Sequence, residues 1–515
     1  MQALTTKIQQ TIFFATALIL GLLLAGCQTA DSAPTIPPTP IGAGVTQPTI
    51  VAVSTPTLAS SGGAVVEPEV MVETTAVVAE TAVPTPNPLL QTSRSIGDPY
   101  TPELGNQGYD VQNYTLKLAL DPANPFVQGE TTIDAIATEA DLAEISLDFI
   151  GFSDVSVTSG GDTLSYFRDG DKLIVDLPRP LATGTPFGLT IRYAGEPTRR
   201  NSPYVGFVEA LGLTFANEMV YALAEPDGAR YWFPSNDHPR DKAFFRFEVT
   251  VPQGLTAVAN GQLISEQPTD SSTVFVWEHN HLMAPYLAIV AVGNFERIDA
   301  VSPKGIPLRH YVTAAAREDF VRVEGVTGDA VDWLSQLLGP YPFEAMGFVT
   351  IDAPTVALET QTMSVLSYDL VGARTAVHEI VHMWFGNHVS LHSWQEMWRN
   401  EGFATYFAIM WELDDQPAAM DQRMLEVAGA VEQNTPQYAL GNPPPSQLFG
   451  FNTYFKGATA VHALRREIGD DAFFAGLRLY FERFGGGTAS DADFQVVMEE
   501  VSGESLEAFF AEWLS

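Results

Sequence analysis

The hydrophobic period of this chain changes once, near Thr313, and that change commits it to two architectures in series. Before that point apolar residues alternate with period two, the mark of half-buried strands. Tyr114, Leu116, Leu118 and Leu120 face one way, with Thr115, Lys117 and Ala119 facing the other. Phe245, Phe247, Val249 and Val251 repeat the pattern against Arg246, Glu248 and Thr250, and Leu173, Val175 and Leu177 repeat it again. Gly160-Gly161-Asp162, Asp169-Gly170-Asp171 and Asn260-Gly261 supply turns between such runs. The region from Tyr109 to about Thr313 therefore reads as all-β.

After Thr313 the spacing becomes helical. Val331, Leu334, Leu337 and Leu338 share one helix face, which Gly339-Pro340 closes. Ser490 and Asp493 form a capping box ahead of Phe494, Val497, Met498 and Val501, and Gly503 ends that helix. Leu506, Phe509, Phe510 and Trp513 line a last helix. The strand candidates in this half are Gly347–Ile351 and a stretch around Val356–Thr360, so it reads as mostly helical with a small sheet.

The 515 residues suggest about two to four domains. With 26 Lys plus Arg against 62 Asp plus Glu, the net charge of −36 argues against a nucleic-acid partner, which needs clustered positive charge. Cys27 is the sole cysteine, which excludes an intrachain disulfide, a cysteine zinc ribbon and an iron–sulfur site. Any metal must sit on histidine and carboxylate.

Residues 1–26 read as a signal peptide: Lys7, then the apolar run Ile12–Ala25 of about 14 residues, too short for the roughly 18 to 20 of a membrane span. Leu24-Ala25-Gly26-Cys27 resembles a bacterial lipobox, which implies a lipid on Cys27 and a place in the cell envelope, outside the cytoplasm and anchored to a membrane. Residues 27–96 hold ten prolines between Pro34 and Pro88 and no Lys or Arg before Arg94, the composition of a disordered tether. Within it, Val70–Val78 reads as a strand only if a partner pairs with it. The folded regions are then a β domain over 97–313 and a mostly helical domain over 314–515.

The chemistry lies in the second half. His378-Glu379-Ile380-Val381-His382 falls in the apolar-periodic segment Ala376–Phe385, which ends at Gly386-Asn387. Residues four apart share a helix face, so both imidazoles can reach one metal ion while Glu379 reaches a water beside it. A hydrolytic zinc site takes three protein ligands and leaves one position open, so a third His or carboxylate must come from another element. Such donors also accept other divalent ions. With eighteen residues between, Glu401 follows His382 inside Trp398-Arg399-Asn400-Glu401-Gly402-Phe403-Ala404-Thr405-Tyr406, opening a second helix to about Glu412.

Together these two motifs resemble the gluzincin aminopeptidases of the aminopeptidase N family. Arg230-Tyr231-Trp232-Phe233-Pro234-Ser235-Asn236-Asp237-His238-Pro239, Val258-Ala259-Asn260-Gly261 and Tyr286-Leu287-Ala288 extend the resemblance over roughly Tyr109 to Ser515. It implies a saddle-like all-β N-terminal domain followed by a thermolysin-like, mostly helical α+β catalytic domain. It implies one zinc ion on His378, His382 and Glu401, with Glu379 as general base and then acid. Tyr454, in Tyr454-Phe455-Lys456-Gly457-Ala458, matches the family tyrosine that stabilises the oxyanion. Glu359 and Glu225 match the positions that hold the substrate's free α-ammonium, so the implied substrates are peptides with a free N-terminus.

Two departures bear on specificity. Val356, Leu358 and Thr360 stand where the family's Gly-x-Met-Glu-Asn motif has Gly, Met and Asn. The sequence also ends about sixty residues after Tyr454, which implies a more open cleft than in relatives with a large C-terminal helical domain. A thermolysin-like endopeptidase and a catalytically silent surface binding module are the alternatives to a zinc aminopeptidase. His388 and His392 read as loop residues outside the ligand set.

Overall fold

The computed structural model describes residues 94–515 apart from 207, 209, 210 and 415. The leader, Cys27 and the Val70–Val78 strand reading lie outside the described residues. Of the stretch read as a tether over 27–96, Arg94 to Ile96 lie among the described residues and pack against the β region. The Arg94 guanidinium meets Glu144 at 2.8 Å and Asp169 at 3.1 Å, and Ser95 is buried. Arg94 is the first basic residue of its stretch, and the ion pairs it makes depend on residues 50 and 75 positions away.

Strand Tyr109–Asp121 lies inside an eight-stranded sheet, parallel to Ala243–Pro252 on one side and antiparallel to Asn124–Ala137 on the other. Its apolar set, Tyr114, Leu116, Leu118 and Leu120, is buried, as are Phe245, Phe247, Val249 and Val251 on the neighbouring strand. Strand Lys172–Leu181 departs from strict alternation because it is the middle of a three-stranded sheet; Ile174 is buried along with Leu173 and Val175, so both faces are covered there. A four-stranded sheet of Thr256–Ala259, Val290–Gly293, Met219–Leu223 and Gly212–Ala216 completes the β region.

The second half contains more sheet than its sequence shows. Five strands are ordered Glu296–Val301, Pro307–Val312, Met346–Ile351, Ser364–Ser367, Ala357–Leu358. Ser364–Ser367 is short and fully buried, without the alternation that marks a half-exposed strand. Two of the five strands precede Thr313, so the change of period marks where helices begin and the boundary at 313 cuts through a sheet. The apolar core of the β region likewise takes in Val349, Ile351, Met363 and Val365.

Seven helices are described: α1 Arg317–Leu338, α2 Ala373–Val381, α3 Trp398–Glu412, α4 Pro417–Gln433, α5 Phe451–Phe484, α6 Asp491–Ser502 and α7 Glu507–Leu514. At the start of α6 the Ser490 amide donates to Asp493 Oδ2 at 2.8 Å and the Asp493 amide donates to Ser490 Oγ at 3.2 Å, while Gly503 closes the helix with φ 73°. α2 stops at Val381, four residues short of Phe385, because the chain turns after His382. α3 is buried from Trp398 to Met410, and it crosses α5 at Gly402 and Gly457. A Cβ on Gly402 would lie 2.7 Å from the Gly457 carbonyl carbon, so glycine on both helices permits the approach.

The segment around Asn236 ties the first described residues to both halves. Asn236 Nδ2 donates to Asn106 O at 3.0 Å, the Asp237 amide donates to Asp148 Oδ2 at 3.0 Å, and Lys172 Nζ reaches Asp148 at 2.6 Å. Asp98 meets the His238 ring at 2.9 Å and accepts from Ser393 Oγ at 3.0 Å. Burial opposes its charge, but His238, the Tyr100 amide and Ser393 hold the carboxyl down at about 2. This value lies below the roughly 3.9 of a free aspartate, so the stabilisation is complete above about pH 4 and is lost as pH falls through about 2. The difference in urea-unfolding free energy between the protein and Asp98→Asn is expected to shrink from about pH 4 to about pH 2. A difference that stays constant over that range would remove the ionised carboxylate from this role.

Candidate active site

α2 places His378 and His382 one turn apart, and the first turn of α3 delivers Glu401 to them. His378 Nε2 lies 3.1 Å from Glu401 Oε2 and 3.2 Å from His382 Nε2, and His382 Nε2 lies 3.5 Å from the same glutamate oxygen. Tetrahedral ligands about 2.0–2.1 Å from one zinc ion are about 3.3 Å apart, so the three donors are spaced as such an ion requires. The turn after α2 carries the Phe385 carbonyl to 3.1 Å from His382 Nδ1. Donation from Nδ1 to that carbonyl would leave Nε2 free for a metal; without one, Glu359 and Glu401 outweigh burial and raise the His382 pKa to about 10.

Four glutamates surround these histidines. Glu225 is 5 % exposed, Glu359 and Glu379 are each 3 % and Glu401 is 2 %, although buried carboxylates are stable only with compensating charge. Glu401 has that compensation. Burial works against its charge, but His382 and His378 hold its carboxyl down at about 2. Burial, with the charges of Glu359 and Glu401, pushes the Glu225 carboxyl well up. Burial also raises Glu379 well above its ordinary range, with Glu359 and Glu401 adding to it against the pull of His382. Glu225 Oε1 and Glu359 Oε1 are buried without a hydrogen-bond partner. The arrangement is a cradle for positive charge, and His378, His382 and Glu401 fit a zinc ion.

Tyr454, on the first turn of α5, stacks its ring on His378 with centroids 6.0 Å apart and planes 17° from parallel. Burial and the four glutamates push its phenol well above the ordinary 10, so it keeps its proton. The Gly402–Gly457 crossing sets this geometry, because it lies one residue beyond Glu401 and three beyond Tyr454. The structure thus brings Glu225, Glu359, Glu379, Glu401, His378, His382 and Tyr454 into one site. His388 and His392 stay outside it. His388 packs against Phe343, with burial and Lys242 pulling its pKa down to about 4, and His392 is exposed.

The props of the site were not assigned from sequence. Asn260 Nδ2 donates to Leu287 O at 2.9 Å and to Gln361 O at 2.7 Å, and the Gly261 amide donates to Thr362 Oγ1 at 2.9 Å. Asn387 Nδ2 donates to Glu359 O at 2.8 Å. The loop that carries Glu359 is therefore held by the β region and by the turn after α2. Arg399, two residues before Glu401, reaches Asp491 at 2.6 Å, Glu396 at 2.8 Å and the Tyr480 hydroxyl at 2.8 Å, which fixes the start of α3 to α6. Asn260-Gly261 is visible in the sequence only as a turn. Arg399 sits in the recognised motif, but its partner Asp491 is 92 positions away.

Comparison with known proteins agrees with this architecture. Residues 110–287 match the Peptidase M1 N-terminal domain and 340–513 the Peptidase family M1 domain. The crystal structure of an M1 zinc metallopeptidase from Deinococcus radiodurans superposes with a TM-score of 0.76 at 30 % identity, covering 82 % of this chain and 97 % of that one. The chain belongs to peptidase family M1. Among curated members of that family, aminopeptidase N of Streptomyces lividans is 29 % identical over 333 residues, 57 % of this chain and 38 % of that protein. The probable aminopeptidase 1 of Sulfurisphaera tokodaii is 23 % identical over 420 residues, 74 % of this chain and 50 % of that protein. The M1 chain thus spans half or less of the length of these curated relatives. A mutant of the Deinococcus protein has also been solved with a Tyr-Ser-Ala substrate, with a TM-score of 0.77.

The helix crossing gives a direct test of this M1 site. Gly457→Ala is expected to lower unfolding free energy by about 1–3 kcal/mol, since the added methyl meets backbone. Gly429→Ala on α4, where a Cβ meets nothing within 4 Å, should instead stabilise by about 0.5–1 kcal/mol. Chemical denaturation of both variants checks the pair, and equal behaviour would mean that the helices do not touch.

Proposed function

We propose that this M1 chain is a zinc-dependent aminopeptidase that cleaves the N-terminal bond of peptides. The observation that carries the reading is the pair of buried carboxylates Glu225 and Glu359 beside the histidine–glutamate cluster, with Glu225 Oε1 lacking a hydrogen-bond donor and Glu359 Oε1 meeting only His382 Nδ1 at 3.7 Å. An α-ammonium brings three donors and one positive charge, which is what two adjacent buried carboxylates accept. Held there, a peptide presents its first carbonyl to His378, His382 and Glu401 and no later one. The Tyr-Ser-Ala complex of the Deinococcus relative supports a short peptide as the substrate class.

Bound by His378, His382 and Glu401, a zinc ion supplies Lewis acidity and makes a water acidic enough to ionise at about pH 7. Glu379 accepts the proton of the attacking water and returns it to the leaving amine, base and then acid in one turnover. The protonated Tyr454 hydroxyl donates to the carbonyl oxygen as charge develops on it, a contribution typically worth about 10²–10³ in rate. Ala357–Leu358 is the edge strand of the five-stranded sheet and pairs on one side only, which leaves its outer edge to align the substrate backbone.

Amino-acid anilides are expected to be hydrolysed, with activity abolished by a chelator and by Glu379→Gln and lowered about 10²–10³-fold in Tyr454→Phe. Acetylating the substrate's amine should abolish turnover. Equal cleavage of free and acetylated substrates would replace the exopeptidase reading with an endopeptidase, and no turnover of either by the zinc-loaded protein would leave a binding module.

The second part of the proposal is an anchored location outside the cytoplasm of a bacterial cell, with a lipid on Cys27. Its support is the Leu24-Ala25-Gly26-Cys27 string after a short apolar run. The protein should partition into a detergent phase and Cys27→Ser into the aqueous phase; identical partitioning would reject the anchor.

A further inference from the structure

Away from the catalytic cluster, a cavity of about 290 Å³ opens over strands Glu296–Val301 and Pro307–Val312. Its polar lining consists of two cross-strand pairs, Arg297 opposite Tyr311 and Asp299 opposite Arg309, with Gln262 beside them. Opposite charges across a strand pair usually meet. Here they do not: Asp299 turns to Arg297, its own strand neighbour, at 2.9 Å.

Arg309 is left without an acid. It is 8 % exposed, its guanidinium lies over the Trp277 ring at 5.4 Å, and its Nη2 donates to Thr362 Oγ1 at 3.4 Å. Its Nε is closed off from solvent with no acceptor. Among the described residues no carboxylate forms an ion pair with it, although this chain carries 62 acidic residues against 26 basic ones. Burial draws its pKa below the ordinary value for arginine, against the pull of Glu344, Tyr311 and Tyr341. The Tyr311 hydroxyl, on the same cavity wall, is also buried with no partner.

A buried guanidinium without a counter-charge is one of the costliest groups a fold can hold, and its planar fork matches an oxyanion. Arg309 Nε and the Tyr311 hydroxyl, both without an acceptor, thus belong to residues that line a cavity large enough for a small molecule, and each must turn outward to meet a ligand there. Arg297, whose side chain is 49 % exposed, stands beside them and can exchange Asp299 for an incoming anion. We propose that this cavity binds a compact oxyanion, a carboxylate or a phosphate, between Arg309 and Arg297 with the Tyr311 hydroxyl as a third donor.

The test is calorimetric titration of the full zinc-loaded chain with inorganic phosphate and, separately, with succinate. Saturable binding of at least one probe is expected, weakened about tenfold or more in Arg309→Met and in Arg297→Gln, as the loss of a charge-assisted hydrogen bond implies. Phosphate binding alone makes this a phosphate site, succinate binding alone makes it a carboxylate site, and mutual competition shows that both share it. The catalytic zinc can also take anions, but that binding does not depend on either arginine. Equal affinity in the parent protein and both variants would therefore overturn the proposal, as would no saturation with either probe up to about 10 mM. If Arg309→Met does not fold, the half-exposed Arg297→Gln carries the comparison, with loss of the phosphate-dependent rise in Tm as its second readout.

Discussion

Four buried glutamate carboxylates packed into one cluster are the constraint that the rest of this molecule serves. They repel one another, and a chain free to relax would move them apart. It cannot, because each rides on a different support: Glu225 on the β region, Glu359 at a sheet edge, Glu379 on α2 and Glu401 on α3. Hydrogen bonds from Asn260, Asn387 and Arg399 hold those supports in place. The apolar packing of two cores thus stores an electrostatic demand that only positive charge meets. His378 and His382 meet part of it, and the proposed metal ion and substrate ammonium would complete it.

Legibility in the sequence follows distance along the chain and exposure to water. Strand Tyr109–Asp121 is readable because one face is wet, so its apolar residues alternate; Ser364–Ser367, buried throughout, has no such signature. The Ser490 cap is readable because its partner is three residues away. Arg399 is not, because Asp491 and Tyr480 reach it from more than 80 positions on. His378, Glu379, His382 and Glu401 carry a spacing that chemistry alone explains, but Gly402 and Gly457 show their purpose only when two helices are seen to cross.

Alternation also hides pairings between distant segments. Thr313 looked like a border because helical spacing starts there, yet Pro307–Val312 hydrogen-bonds onward to Met346–Ile351. A parallel pairing across more than thirty residues leaves no local trace. Thr362 is a second case. It is a β-branched residue at φ 66°, a conformation such side chains rarely adopt, and contacts from Gly261 and Arg309 hold it there.

Because the five-stranded sheet straddles the change of period, the two halves are not interchangeable modules. A lineage that recombined the catalytic half onto a foreign partner at Thr313 would inherit three strands of five. Its Glu359 loop would arrive without Asn260 and Gly261, which would have stayed with the discarded half. The loop that carries Glu359 and the residues that brace it thus lie on opposite sides of that border, so a cut at Thr313 separates the site from its support.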